Sequence, residues 1–106
     1  MKVTEKRKKQ ALAAIKKALG TEDGEDSVDL FISHHLEELP ASYWKKRCGT
    51  ASPKPKAVLA LLKFHSSWGE GDVEYFDFSL PGDVTDYVIS VHFDEEGTID
   101  EISMES

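Results

Sequence analysis

The chain has 106 residues, 40% of them apolar and 31% charged, which is an ordinary globular mix and enough for one domain of two packed layers. Its apolar runs are too short for a membrane span, no apolar stretch of signal-peptide length follows the basic start, and the single cysteine, Cys48, leaves no internal disulfide; these points favour a cytoplasmic protein. The net charge of −7 divides into +6 over residues 1–19 and −13 over the remainder, so a basic leader precedes an acidic body that repels nucleic-acid phosphates and suits either a basic partner or plain solubility.

Residues 1–19 read as a basic helix, with Thr4 as its N-cap, Gly20 as its stop, and Leu12, Ile15 and Leu19 on one face. Glu5 to Gln10 offer almost no apolar side, so these first turns are expected to fray or project. Thr21 to Asp26 is acidic with a central glycine and reads as an exposed loop. A helical layer is expected over residues 27–65. Ser27 caps a helix with the inner stripe Val28, Phe31, Ile32, His35, Leu36 and Leu39, which Pro40 ends. Ala41 to Cys48 form a short helix stopped by Gly49. Ser52 then caps a full helix with Pro53 at its first position and the stripe Val58, Leu61, Leu62 and His65. Ser66 to Gly71 reads as a loop in which Trp68 covers the edge of the core.

From Asp72 the apolar period changes to two, and three strands are expected near 72–80, 85–93 and 98–105. Pro81 to Val84 and Asp94 to Gly97 have hairpin-turn composition, with Gly97 suited to a left-handed position. The expected fold class is α+β: a single domain over residues 1–106, a two-layer sandwich with N-terminal helices on one face of a three-stranded antiparallel meander.

Four-residue turns pair Leu80 with Thr85 and Phe93 with Thr98, and the fixed side-chain period then assigns both faces. Phe76, Phe78, Tyr87, Ile89, Val91, Ile102 and Met104 share an apolar face under the helices. The other face carries Val73, His92 and Ile99 in one row, Tyr75, Ser90 and Glu101 in the next, and Asp77, Val88 and Ser103 in the last. It is too polar for a core and rather apolar for a solvated surface. Tyr75, Asp77, Val88, His92, Ile99 and Glu101 are therefore the candidate partner-binding residues, against the alternative of an ordinary open face. A bulge at Gly97 would slip the last strand by one residue and exchange its faces.

Other chemistry is weaker. His34 and Glu38 share a helical face and offer two metal ligands, but no second ligand cluster accompanies them, and the competing reading puts His34 in solvent and His35 on the inner stripe. Cys48 follows Lys45, Lys46 and Arg47, cations that would favour a thiolate nucleophile, against the reading of an incidental cysteine. Lys6 to Lys9 form a cluster for nucleic acid or anionic lipid, but lack interleaved aromatics and read equally as a solvated helix end. The two glycines after Trp68 lack phosphate-loop spacing. No catalytic, cofactor or metal residues are assigned.

Four segments carry a resemblance: Tyr75 to Leu80, Thr85 to Val88, Val91-His92-Phe93-Asp94-Glu95-Glu96-Gly97, and Ile102 to Ser106. The V-x-F-D-x-x-G … I-x-M-E-S pattern resembles an uncharacterised bacterial family of small domains over residues 68–106. That resemblance implies a two-layer α/β sandwich and carries over no catalytic residue. In size, acidity and lack of catalytic motif, the chain also resembles bacterial immunity proteins, which implies a non-enzymatic inhibitor of a basic toxin.

Overall fold

A computed structural model describes residues 3–82 and 84–105. The helices are α1 (Val3–Ala18), α2 (Val28–Glu38), α3 (Ala41–Cys48) and α4 (Pro55–Ala60). The strands are β1 (Lys63–Trp68), β2 (Tyr75–Ser79), β3 (Val88–Phe93) and β4 (Ile99–Glu105), with short 3-10 turns at Glu22–Gly24 and Glu70–Asp72. The strands form an antiparallel meander in chain order, and α1 and α2 lie across it. The fold is thus α+β with helices on one face of an antiparallel sheet, which among the described residues has four strands instead of the expected three.

The additional strand comes from residues assigned to the helical layer and the following loop. His65 continues the spacing of Val58, Leu61 and Leu62, yet α4 ends at Ala60 and the chain pairs with β2 from Lys63 onward. Pairing gives β2 a neighbour on both sides and brings Phe64 to 6.0 Å from the rings of both Phe76 and Phe78. A short helix of marginal propensity loses to that tertiary gain. The proline at its first turn is Pro55, with Lys54 in the cap position, instead of Pro53 and Ser52.

The other boundaries fall close to expectation. Gly49 ends α3 in the left-handed region with φ 77°, a conformation that costs a glycine least. Ser27 occupies the cap position of α2, although its side chain makes no cap hydrogen bond. The 21–26 segment is largely exposed, as expected, but it contains the 3-10 turn Glu22–Gly24, whose Gly24 is buried. A Cβ on Gly24 would stand 2.2 Å from the Ala18 carbonyl oxygen, so the 3-10 turn presses backbone to backbone against the end of α1. Gly24→Ala is expected to destabilise the protein by about 1–3 kcal/mol through this overpacking, read as a lower urea midpoint.

The first turns of α1 are helical and docked. The Arg7 guanidinium donates to the Val73 carbonyl at 2.6 Å and lies 5.2 Å from the Phe93 ring centre, while Lys8 Nζ sits 4.1 Å from that of Phe64. Cationic side chains have replaced the missing apolar ones: their stems cover aromatic surface and their charges face the π-clouds. Part of the basic cluster is thereby committed to the fold.

The core is one cluster that includes Ile15, Phe31, Ile32, Trp44, Val58, Phe76, Phe78, Ile89, Val91 and Phe93. Tyr87, Ile102 and Met104 pack against it, half-buried. Both hairpin registers differ from the expected ones by two residues: Phe76 faces Val91, and Ile89 faces Met104. A shift of two by itself moves no side chain to the other face. The β2–β3 connection is longer than a four-residue turn, since the ladder closes at Phe78 and Ile89 and Tyr43 donates to the Pro81 carbonyl at 2.8 Å. Asp83 of that expected turn lies outside the described residues, as do Met1, Lys2 and Ser106.

In the β3–β4 turn, Gly97 adopts φ 81°, and Asp94 Oδ1 accepts from the Glu96 and Thr98 amides. The bulge falls farther along, between His92 and Phe93, where the ladder passes from Glu101 to Ile99 and leaves Asp100 unpaired.

Candidate functional site

The bulge decides which side chains of β4 reach the open face of the sheet. With Asp100 inserted, Asp100 and Glu101 both stand over His92, while Ile99 falls opposite Phe93 and packs against the core. Ile99 therefore leaves the expected partner-binding group. Val73 also packs against the core and is outside the ladder. Tyr75, Asp77, Val88, His92 and Glu101 all lie on the open face.

There they form ranks across the strands. Trp68, Tyr75, His92 and Glu101 are successive ladder partners in the first rank; Ser66, Asp77, Ser90 and Ser103 make the second; Val88 and Glu105 begin the third. A second bulge in β1, between Phe64 and Ser66, sets His65 beside this face. Bulges in both edge strands bend and twist them, and the face holds a concavity of 520 Å³.

Aromatic stacking organises the first rank. The rings of Trp68 and Tyr75 lie 3.9 Å apart at 6°, and Tyr75 and His92 lie 4.5 Å apart. Trp68 does not cover the core edge; it stands on the open face, 46% exposed, with its indole N–H donating to Asp77 Oδ2 at 3.0 Å. In the second rank, Ser90 is only 3% exposed, and Ser90 Oγ and Asp77 Oδ1 are buried with no hydrogen-bond partner among the described residues.

The face is acidic. Asp77, Asp86, Glu101 and Glu105 line the concavity, and among the described residues none of them is in an ion pair. The Tyr75 hydroxyl registers the field. Partial burial, and then repulsion from Glu74, Glu101, Asp100 and Glu105, push its pKa above the usual 10.0.

His92 sits at the border of this face between two carboxylates. Its Nε2 is 2.8 Å from Glu74 Oε2, and its Nδ1 is hydrogen-bonded to Asp100. Those two bonds, Asp100 first, raise its pKa above 6.5. Glu74 moves the other way, held down by the Glu70 amide and then by His92. His35, under the helices, has the opposite environment. Its Nδ1–H donates to the Phe31 carbonyl at 2.6 Å, so its Nε2 accepts from the Thr85 hydroxyl at 2.8 Å, and burial lowers its pKa.

These two histidines give stability opposite pH slopes. His92 has a raised folded pKa, so its contribution is complete below about pH 6.5 and is lost as pH rises through the higher folded value. The contribution of His35 is complete above about pH 6.5 and is lost as pH falls toward its lower folded value. His92→Asn is expected to remove the loss on the alkaline side and leave a protein that only weakens on acidification. Urea midpoints across about pH 5 to 8.5 check this, and an unchanged alkaline limb contradicts it.

The other candidates are dispersed. His34 stacks edge-on against Tyr87 at 4.9 Å, and Glu38 is exposed on α2. Among the described residues no group of three or more His, Cys, Asp or Glu side chains is placed to hold a metal ion. Cys48 packs, half-buried, against the apolar core. His65 bonds to its neighbour Ser66 at 3.1 Å. Among the described residues no helix is long and apolar enough to cross a membrane.

Comparison of the chain with protein-family models, curated proteins and solved structures yields no match.

Proposed function

We propose that this protein is a non-enzymatic binding protein that receives a basic protein partner on the open face of its sheet. The observation that carries this reading is the uncompensated acidity of that face: Asp77, Asp86, Glu101 and Glu105 surround an aromatic rank with no protein cation paired to them among the described residues. Rigid aromatics supply contact area at low entropic cost, and like-signed charge steers an oppositely charged partner.

The sharpest form of the proposal is an immunity-type inhibitor of bacterial origin that neutralises a basic toxin in the cytoplasm. The small size of the chain, its acidity and its lack of a catalytic motif support this form. Capture from the source organism tests it. The expected result is one stoichiometric partner rich in Lys and Arg, retained at low ionic strength and released by about 0.5 M salt. Recovery of no stoichiometric protein, or of one indifferent to salt, contradicts the reading.

A further inference from the structure

The second rank has a property that acidity alone does not explain. The Ser90 hydroxyl and the acceptor Asp77 Oδ1 are buried without partners among the described residues, and Ser90 is 3% exposed. Both residues line the concavity, beside Asp86, Glu101 and Glu105. Burying a polar atom unpaired carries a real free-energy cost, so this part of the sheet gains when a ligand supplies the missing donors. The lining has more capacity to accept than to donate: the four carboxylates only accept, the hydroxyls of Tyr75, Ser90 and Ser103 both donate and accept, and His65 can donate from a ring N–H. The one indole N–H beside them is already given to Asp77 Oδ2.

The matching ligand is a cation rich in hydrogen-bond donors, with a flat surface for the exposed side of Trp68. A guanidinium has five N–H donors in one plane, no acceptor, and stacks on aromatic rings; an ammonium has three donors and no plane. We infer that the concavity is a receptor for one arginine side chain of the basic partner. Its guanidinium lies against the outer face of Trp68 and donates into the Asp77–Ser90 acceptors as the exposed Glu101 and Glu105 side chains move aside. This deepens the open-face reading and rests on it.

The test uses single side chains, which report the slot independently of any protein partner. Blocked arginine, lysine and citrulline (each an Nα-acetyl methylamide) and tetramethylammonium are titrated into the full chain at physiological salt, followed by amide and indole NMR shifts. Arginine is expected to shift the Trp68 indole and the Asp77 and Ser90 amides, and to bind about tenfold more tightly than lysine. Citrulline, which keeps the shape without the charge, and tetramethylammonium, which keeps the charge without donors, are expected to be weaker still. Asp77→Asn, close in shape, is expected to remove the preference for arginine while the remaining spectrum stays dispersed.

Equal binding of lysine and arginine overturns the inference, as does citrulline binding as well as arginine, or shifts confined to other surfaces. Tighter binding of tetramethylammonium also overturns it, in favour of a plain aromatic cation site. If the arginine preference is absent while a salt-sensitive basic partner is still captured, the slot fails and the open-face reading stands. If capture fails while the arginine preference is present, the reverse holds.

Discussion

Phe76→Ala is expected to cost about 3–5 kcal/mol, a large share of the roughly 5–15 kcal/mol that holds a domain of this size together. Phe76 is fully buried, lies opposite Val91 in the ladder, and has its ring 5.5 Å from Phe93 and 6.0 Å from Phe64. Removing it opens a cavity where β1, β2 and β3 meet beneath the helices. Its neighbour Tyr75 points to the other face, and Tyr75→Ala is expected to cost far less, since only stacking with Trp68 and His92 is lost. Urea denaturation of the two variants therefore tests the face assignment directly. Similar losses for both would mean that the alternation is wrong.

The second large effect is on binding and leaves the fold in place. Glu101→Lys with Glu105→Lys reverses two carboxylates of the concavity, and both residues are exposed on an edge strand. This variant is expected to weaken the complex with the basic partner by about a hundredfold. Glu25→Lys with Glu37→Lys changes net charge by the same amount at exposed sites outside the sheet and is expected to change affinity by less than about threefold at physiological salt, where salt screens charges that do not meet the partner directly. Titration calorimetry of both variants with the captured partner measures the difference. Equal losses would assign the attraction to overall charge.

Much of this arrangement is legible in the sequence, and the exceptions have physical causes. The alternation of Tyr75-Phe76-Asp77-Phe78 and of Val88 to Phe93 is strong enough that a register error of two residues leaves each side chain on its proper face. Tyr75, Asp77, Val88, His92 and Glu101 are therefore placed together without knowledge of the turns. Ile99 is not, because one inserted residue, Asp100, reverses everything before it in β4, and nothing local distinguishes Asp100 from another charged strand residue.

β1 is hidden for a different reason. His65 matches the helical stripe begun by Val58, and the bulge beside it breaks the period of two in Lys63 to Trp68. The signal that identifies this strand is nonlocal: Phe76 and Phe78 need a neighbour, and Phe64 supplies one. With β1 missing, Trp68 is detached from Tyr75, and half of the aromatic rank goes unseen. The docking of Arg7 and Lys8 on Phe93 and Phe64 is likewise invisible to apolar patterning, since it depends on cations doing the work of hydrophobic side chains.

The open face as the binding surface is tested most directly by carboxyl footprinting. Carbodiimide labelling of exposed carboxylates is compared between the free protein and its purified complex, with modification read by peptide mass. Protection is expected at Asp86, Glu101 and Glu105, which line the concavity, with unchanged labelling at Glu25, Glu37 and Glu38 outside the sheet. Protection of those three carboxylates, with Glu101 and Glu105 still fully labelled, would contradict it.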